Sequence, residues 1–507
     1  MNNDRTLQKH LSPAGAWAFA IGTAIGWGSL VVTANTYLAQ SGPMGSVLGL
    51  VLGALIMAVI AVNYAYLMRA FPEAGGAYAY TREAFGYDFA FLTAWFLAMT
   101  YLAVLWANVT SLPLYGRIFM GGLFRVGKLY TIFGYDVYLG EVLLSMAALL
   151  VTGYLCIRHE KLVDVLMIAL AILFTAGIAV CFIGGFAGGG RELKPLYLPD
   201  SSELSQIVQI AVISPWAFIG FESISHGVEE FRFDHRRIRR LMHVVVVMTL
   251  ALYVMVTLLS VTAYPERYDS WLSYIRDLNN LEGLEALPAF YAANRYLGGF
   301  GVWALMLSLL GLVITSLIGN TFALSRLFFA LGRDKVLPKK LAELNDRNVP
   351  ANAVALVIAV SFLIPLIGRT AIGWIVGRHN HRRHADLRPG LRRRGEAGQT
   401  GREPGDSLCG NTRPRSHARL WRVHSASQPS AQKLHGARDL LPVHRVERAG
   451  LPVLPLHSPD RYGKALRQLP HRLGGAAGPG AVRVPDLDAP VHDRLQRHLA
   501  GQHPHLL

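Results

Sequence analysis

Apolar stretches of about 20 residues recur along the first 376 positions of this chain, and they constrain its fold more than any other feature. About 20 apolar residues in a helix cross the hydrocarbon core of a bilayer. A soluble helix keeps a polar face toward water, whereas stretches such as residues 244–261 leave no such face. We therefore predict an all-α polytopic membrane helix bundle of about nine spans. The predicted spans lie near residues 13–40, 44–68, 89–116, 139–157, 161–187, 204–228, 241–264, 298–331 and 351–375.

Charge divides the chain into two unlike parts at Val376. Residues 1–376 contain 26 Lys and Arg against 23 Asp and Glu, whereas residues 377–507 contain 23 against 10. The net charge of +16 therefore comes mostly from the last quarter, and it does not indicate that the main body binds nucleic acid. We predict a cytoplasmic N-terminus over 1–12, a transmembrane domain over 13–376 and a basic tail rich in Arg, Pro and His over 377–507.

The distribution of basic residues predicts how the bundle is oriented. Lys and Arg are enriched in the cytoplasmic loops of membrane proteins. With the N-terminus inside, the cytoplasmic segments carry 17 of the 26 basic residues of the first 376 positions, including the run over 232–240. We therefore predict a multi-pass protein of the cytoplasmic membrane with a cytoplasmic N-terminus.

Two of the predicted spans contain residues that interrupt a helix. The first carries three glycines within residues 22–28, and each weakens a helix by about 1 kcal/mol relative to alanine. The sixth carries Pro215 and Gly220, followed by Glu222, the one acidic residue deep inside an apolar run. Glycines in membrane helices also serve close packing, but a buried carboxylate is costly and usually functional. Breaks in spans one and six favour a five-plus-five inverted repeat with a ligand at the breaks.

The residues give little support to other chemistries. The three cysteines form neither a paired framework nor a C-x-x-C motif. The three glycines at 188–190 lack the Lys-Ser/Thr of a phosphate loop. His379, His381 and His384 have a spacing that suits a metal, but they lie in the basic tail. Because no nucleophile and base form a defensible pair, we predict no enzyme activity, no cofactor and no metal.

Three further segments resemble one family of membrane proteins. Residues 71–80 read FPEAGGAYAY after the second span, and Glu229 and Glu230 close the sixth. Ser325 and Arg326 are followed by GRDKVLP over residues 332–338 after the eighth span. In combination with the glycine-rich first span, these segments resemble the amino acid–polyamine–organocation (APC) superfamily of permeases over residues 12–376. The resemblance implies secondary active transport of amino acids by alternating access, with an amino acid substrate, a coupling ion and surrounding membrane lipid.

The resemblance also implies which residues bind the substrate. The substrate carboxylate is expected at the free backbone N–H groups of the first break, and its amine at free carbonyl groups of the sixth. Transferred to this sequence, the carboxylate site is Ile25, Gly26, Trp27 and Gly28, and the amine site is Trp216, Ala217 and Ile219. Trp216 matches an aromatic gate, and Glu222 matches an acidic position linked to gating or proton coupling.

This sequence departs from the family pattern at Trp27, where members usually have a small residue. The indole can narrow the pocket or face a neighbouring helix, and the sequence leaves both alternatives open. A proton is favoured over sodium as the coupling ion. The amino acid carried, uptake versus exchange, and the oligomeric state are left open by the sequence.

The basic tail begins at Gly377, where the resemblance requires a tenth span. The tail has no Ile, Phe or Met, and it contains 21 Arg but only Lys433 and Lys464. Such a composition is typical of disordered segments, and equally of GC-rich coding sequence read in the wrong frame. A shift of one base permits span-like apolar codons over 377–394 and 443–457. We therefore favour a frameshifted, largely disordered tail, with the repeat truncated after about nine spans and the chain inactive as it stands.

Two other functions are compatible with the sequence. A transporter of polyamines or other organic amines would not need the carboxylate site at the first break. A membrane protein that no longer transports would instead use its basic tail to bind anionic lipid or nucleic acid. For the main body we expect no nucleic-acid partner.

Overall fold

Membrane-length apolar runs fold as helices because lipid offers the backbone no hydrogen-bond partners, and a helix satisfies its own polar groups. The computed structural model describes residues 7–31, 33–132, 135–189 and 193–368. The predicted tail and the last residues of the ninth predicted span lie outside these residues. The α-helices of the described residues are Pro13–Ala24 (α1), Trp27–Val31 (α2), Ala39–Ala70 (α3), Ala77–Phe85 (α4), Tyr87–Phe119 (α5), Leu139–Arg158 (α6), Glu160–Ala187 (α7), Glu203–Ile213 (α8), Pro215–Phe218 (α9), Ile238–Thr262 (α10), Trp271–Asp277 (α11), Pro288–Arg333 (α12), Ala351–Ser361 (α13) and Ile364–Ile367 (α14).

The described residues contain seven helical segments that are long and apolar enough to cross a membrane. These segments are Ala34–Ala70, Tyr87–Phe119, Leu139–Arg158, Glu160–Ala187, Glu203–Glu230, His235–Thr262 and Pro288–Arg333. The all-α membrane bundle is thus confirmed. The first predicted span differs because its glycine-rich centre divides it into α1 and α2, each too short to qualify. The ninth appears as the shorter apolar segment Ala351–Ile367.

Caps and kinks set the ends of several helices. Ser12 caps α1, since its Oγ accepts the backbone N–H of Gly15 at 3.0 Å. A short π-helix over Ala34–Leu38 leads into α3, which is interrupted at Gly42, where φ is +67°. Pro43 follows at once, so the boundary between the first two predicted spans lies at this kink. A similar interruption at Gly298, with φ of +58°, separates the first turns of α12 from its long apolar part.

The long helix α12 packs against α1, α5, α7 and α10 near the centre of the bundle. Small residues allow the close approach, as is common where membrane helices pack. A Cβ at Gly22 of α1 would lie 2.7 Å from Cβ of Thr315, and one at Gly319 would lie 2.1 Å from Oγ1 of Thr23. Glycine on both helices therefore brings α12 directly against the end of α1, beside the first break.

Short elements connect the helices. A two-stranded antiparallel sheet, Lys128–Ile132 (β1) with Tyr135–Tyr138 (β2), joins α5 to α6. The segment Glu203–Glu230 corresponds to the sixth predicted span, and we call it the sixth apolar segment. It ends in a 3₁₀ turn over Ser223–Glu230, and a second turn over His235–Arg237 leads to α10. The loop between α10 and α12 holds α11 and further 3₁₀ turns at Leu278–Asn280 and Gly283–Ala286, and Lys339–Ala342 forms one before α13.

Candidate functional site

The first break lies between α1 and α2. Ile25 leaves the helical region with φ of −111° and ψ of 123°, although its N–H still bonds the carbonyl of Ile21. Helix α2 restarts at Trp27, whose N–H donates to Oδ1 of Asn108 at 3.0 Å. Both the N–H and the Oγ of Ser29 bond the carbonyl of Gly26, at 3.1 and 2.8 Å. The break is therefore closed on one side by a buried amide from α5.

Gly26 is required at this break because Asn108 approaches its Cα directly. A Cβ at this position would lie 2.6 Å from Oδ1 and 2.9 Å from Nδ2 of Asn108. The first N–H groups of a helix have no intrahelical acceptor. Among the described contacts, the N–H groups of Gly26 and Gly28 have no partner, and both residues are half-buried. The start of α2 therefore presents donors, and a partial positive charge, to an incoming anion.

The sixth break begins at Pro215 and involves a longer stretch of backbone. The short helix α9 ends at Phe218, and Ile219 then turns to φ of −55° and ψ of 128°. Gly220 follows with φ of +102°, a conformation that other residues rarely adopt. Its N–H donates to Oε2 of Glu222 at 3.0 Å. The carboxylate of Glu222 thus satisfies the backbone of its own break.

The two breaks touch each other through backbone atoms. A Cβ on Gly220 would lie 2.9 Å from the carbonyl oxygen of Thr23 and 3.1 Å from the nitrogen of Ala24. These two residues are the last of α1, immediately before the first break. Only a glycine permits so close an approach, so the interruption of the sixth apolar segment lies directly against that of the first.

Helix α5 joins both breaks from one side. Tyr101 and Asn108 are seven residues apart and therefore lie on the same helix face. The hydroxyl of Tyr101 donates to Oε1 of Glu222 at 2.8 Å, and Nε2 of His226 lies 3.2 Å from the same hydroxyl. Asn108 accepts from the first break, and its Nδ2 donates to Oγ of Ser316 in α12 at 3.0 Å. One face of α5 thus holds an acid at one break and a backbone N–H at the other.

Four residues at the breaks were not predicted from the sequence: Tyr101, Asn108, His226 and Ser316. A signal was present in Asn108, since an amide inside an apolar run has to find a partner. The seven-residue spacing from Tyr101 would then have placed both side chains on one face.

The predicted site residues fall into two groups in the structure. Ile25, Trp27 and Ala217 are buried, and Ile219 is half-buried beside Gly220. The indole of Trp27 packs in the hydrophobic core rather than standing in open space. Trp216 differs, because its side chain is 43% exposed and no described contact joins it to Glu222. The roles of these residues in binding, including a gate at Trp216, stay predictions.

The three segments that carried the family resemblance contact one another. The backbone N–H of Ala74 donates to Oε1 of Glu229 at 2.7 Å, and Arg333 donates to the same oxygen at 2.8 Å. Arg82 donates to Oδ2 of Asp334 at 2.5 Å and to Glu73 at 2.6 Å. Burial acts to lower the pKa of the Arg82 guanidinium, but these two carboxylates outweigh it and raise that pKa. The guanidinium of Arg82 therefore stays charged between Glu73 and Asp334.

The N-terminal residues form a strap across the end of the sixth apolar segment. The N–H groups of His10 and Leu11 both donate to the carbonyl of Glu230 at 3.0 Å. The N–H of Arg232 donates in return to the carbonyl of Leu11 at 2.9 Å. A short parallel bridge between Leu11 and Phe231 results. The segment before α1 is therefore fixed to the end of the broken sixth segment.

A buried ionic cluster lies beside this strap. Arg326 of α12 donates from Nε and Nη2 to the two carboxylate oxygens of Glu230, at 2.8 and 2.9 Å. His10 lies 3.4 Å from Glu230, 3.5 Å from Asp164 and 3.9 Å from Glu160. His10, Glu160 and Glu230 are close enough to share a metal ion. The guanidinium already occupies Glu230 in a bidentate pair, however, so the arrangement favours an ion-pair network over a metal centre.

This chain is similar in sequence to known transporters. The sequence profile described as Amino acid permease matches residues 15–377. The chain is 25% identical over 375 residues to the branched-chain amino acid permease BcaP of Lactococcus lactis subsp. cremoris (strain MG1363). The aligned region covers 68% of this chain and 73% of that protein. It is likewise 25% identical over 348 residues to the vacuolar cationic amino acid transporter 2 of Arabidopsis thaliana, and it spans about half, 52%, of that protein.

A solved structure shows the same fold. It is a Na⁺-coupled sialic acid symporter in a substrate-bound, outward-open state, with a TM-score of 0.50 and 14% sequence identity. The match covers 73% of this chain and 76% of the symporter chain. At this identity the likeness concerns the fold alone.

Proposed function

The chain belongs to the amino acid permease family, whose members are transporters rather than enzymes, and from this premise we propose that it carries amino acids across the cytoplasmic membrane by alternating access. The membrane-length apolar helices make it a multi-pass membrane protein. Alternating access requires a central site that opens to one side of the membrane at a time. Two interrupted helices that meet inside the bundle are suited to form such a site.

The meeting of the two breaks carries this proposal. The first break presents backbone donors at Gly26 and Gly28, which suit a substrate carboxylate. The sixth break presents carbonyl groups at Trp216, Ala217 and Ile219, for which no acceptor role is found among the described hydrogen bonds. Those carbonyls suit an ammonium group. An amino acid carries both charges a short distance apart, so it matches two breaks in contact.

Glu222 is the proposed coupling and gating residue. Its carboxylate accepts one hydrogen bond from Tyr101 and one from the backbone of Gly220. Protonation of Glu222 would remove the negative charge that holds both donors, and it would loosen the contact of the sixth break with α5. We propose a proton as the coupling ion because a single carboxylate can take up a proton, whereas a hard metal cation prefers several oxygen ligands.

The test is uptake of radiolabelled compounds into proteoliposomes. The panel contains branched-chain, cationic and small neutral amino acids together with a polyamine. It is applied to the 507-residue chain and to the chain with its reading frame restored after Val376, called here the restored chain. We expect the restored chain to accumulate one class of amino acid and the 507-residue chain to accumulate none.

Other outcomes have defined meanings. Accumulation of the polyamine alone would indicate the organic-amine transporter instead. Uptake by the 507-residue chain would show that residues 377–507 are genuine and that the proposed frameshift is wrong. An absence of uptake by the restored chain, folded and inserted, would contradict the proposed function.

Orientation can be tested independently of transport. The bias of Lys and Arg supports a cytoplasmic location for the N-terminus and for residues 232–240. A cysteine that replaces Arg237, an exposed residue, should resist a membrane-impermeant maleimide in intact cells and react after permeabilisation. A cysteine that replaces Asp269 in the loop before α11 serves as the external control. Labelling of position 237 from outside would reverse the orientation.

A further inference from the structure

The beginning of α10 carries a concentration of positive charge around a cavity. The cavity has a volume of about 520 Å³. Its lining residues are Asp234, Arg236, Arg237, Arg239, Arg240 and His243. We call this feature the arginine cavity. It lies where the polar turn after the sixth apolar segment passes into the first apolar turn of the next span.

Little within the described residues neutralises this charge. Asp234 is the one carboxylate of the lining, and its Oδ2 lies 4.0 Å from Nε of Arg236. Its Oδ1 is already occupied by the backbone N–H of Arg236 at 2.8 Å. In the described part of the chain, no ion pair is found for Arg237, Arg239 or Arg240. Four guanidinium groups thus face one carboxylate, and guanidinium groups bind phosphate oxygens in bidentate pairs.

An exposed apolar surface continues directly from the arginine cavity along α10. Arg240, Val244 and Val247 are spaced by four and three residues, so they share one face of the helix. Val244 is 42% and Val247 62% exposed, whereas Val245 and Val246 are buried in the core. Val244 and Val247 belong to a helical segment of membrane length, so we expect this strip to face lipid. A cationic cavity with an apolar strip below it matches the shape of a phospholipid, with a charged head and an apolar chain.

We propose that the arginine cavity binds the phosphate of an anionic phospholipid, whose acyl chain lies along Val244 and Val247. Basic residues beside a span also direct its insertion, but that role requires neither a cavity nor an adjoining apolar strip. Free phosphate would use the arginines without the strip, and nucleic acid would not reach residues that face the hydrocarbon. The strip therefore favours a lipid, and the site is independent of the transported substrate.

The test counts lipid retained by the purified 507-residue chain in native mass spectrometry. Mixed micelles supply equal amounts of phosphatidylglycerol and phosphatidylcholine. Arg239→Gln with Arg240→Gln should weaken retention of phosphatidylglycerol about thirtyfold, because each basic residue near an anionic surface contributes about 1 kcal/mol. Arg239→Lys with Arg240→Lys keeps the charge and should restore most of the retention. Retention of phosphatidylcholine should be unchanged in both variants, which shows that the bundle is folded.

A matched control separates the cavity from net charge. Lys339→Gln with Lys340→Gln removes two charges from an exposed 3₁₀ turn elsewhere, and it should change retention by less than about twofold. The basic tail is present in every variant, so its contribution cancels. If both pairs of glutamine substitutions reduce retention of phosphatidylglycerol equally, the arginine cavity is not its binding site.

A second variant tests the lipid chain. Val244→Ser with Val247→Ser should weaken retention of phosphatidylglycerol and leave binding of its deacylated headgroup, glycerophosphoglycerol, unchanged. If the valine variant retains lipid like the parent and millimolar inorganic phosphate displaces phosphatidylglycerol, the cavity binds free phosphate and the proposal of a lipid site is wrong.

Discussion

The two breaks in the bundle are alike in position but opposite in chemistry. At the first break, a neutral amide from α5 accepts the N–H of Trp27, and no carboxylate of the described residues bonds this break. At the sixth break, Glu222 accepts the N–H of Gly220 from within the same segment, and Tyr101 of α5 donates to it. The first break therefore keeps the positive character of a helix start, whereas the sixth carries a removable negative charge.

We propose that this difference confines the response to pH to the sixth break. Asn108 does not titrate, so the first break presents the same donors at any pH. Glu222 can change its charge, and with it the hydrogen bonds that hold the sixth break against α5. We therefore predict that changes to Glu222 alter the response to pH, whereas changes to Asn108 alter affinity alone.

The contact between the breaks is the most sensitive point. Gly220→Ala in the restored chain should abolish uptake and lower thermal stability, because its Cβ would meet the backbone of Thr23 and Ala24. Strain at positive φ and overpacking together cost roughly 2 kcal/mol or more. Gly86→Ala is the control, because Gly86 also has positive φ, at +85°, but nothing lies within 4 Å of its Cβ position. Equal effects of the two variants would show that the contact between the breaks is not the cause of the loss.

Glu222→Gln should remove the response of uptake to pH. Glutamine retains an oxygen for Tyr101 but cannot gain or lose charge. We expect uptake to fall about a hundredfold, the lower end of the usual contribution of a positioned proton-transfer group, and the rise in uptake at lower external pH to be lost. Glu266→Gln, an exposed acid in the loop before α11, should leave the pH profile intact. A normal pH profile in Glu222→Gln would show that this acid is not the coupling residue.

Asn108→Ala should change affinity without changing the pH profile. The substitution leaves the N–H of Trp27 without its acceptor and removes the bond to Ser316. A lost buried hydrogen bond costs about 1 kcal/mol, so KM should rise about fivefold. Asn352→Ala, which removes a hydrogen bond to the carbonyl of Lys340 in an exposed loop, is the matched control. If Asn108→Ala shifts the pH profile instead, the division of roles between the breaks fails.

Trp216→Ala should have the smallest effect. The predicted gate is 43% exposed and lacks a described contact with Glu222, so its removal should weaken substrate retention by about twofold, the size of a surface substitution. Trp303→Ala, at a comparably exposed tryptophan of α12, provides the control. A loss of tenfold or more at Trp216 alone would show that this side chain closes over the substrate in another state. Parental uptake by both Trp216→Ala and Glu222→Gln at every pH would mean that the site is misplaced.

Local signals explain why the fold could be predicted from the sequence. An apolar run of membrane length, Pro215 and the glycines of the first span all act within a few residues, so spans and breaks could be located. The residues that bond to these breaks could not be predicted in this way. Asn108 meets Trp27 across 81 positions, and Tyr101 meets Glu222 across 121, and no pattern along the chain joins them. The exposure of Trp216 also depends on neighbours that only the folded bundle supplies.

The N-terminal strap has a consequence for biosynthesis. Leu11 pairs with Phe231, which leaves the ribosome about 220 residues later. At 5–20 residues per second, that interval lasts roughly 10 to 45 seconds. During this time the backbone N–H groups of His10 and Leu11 lack their acceptor, the carbonyl of Glu230, and the first helices must insert without the backbone bonds that later fix the segment before α1. The strap can therefore close only after the sixth apolar segment has been translated, which makes it a late marker of correct assembly.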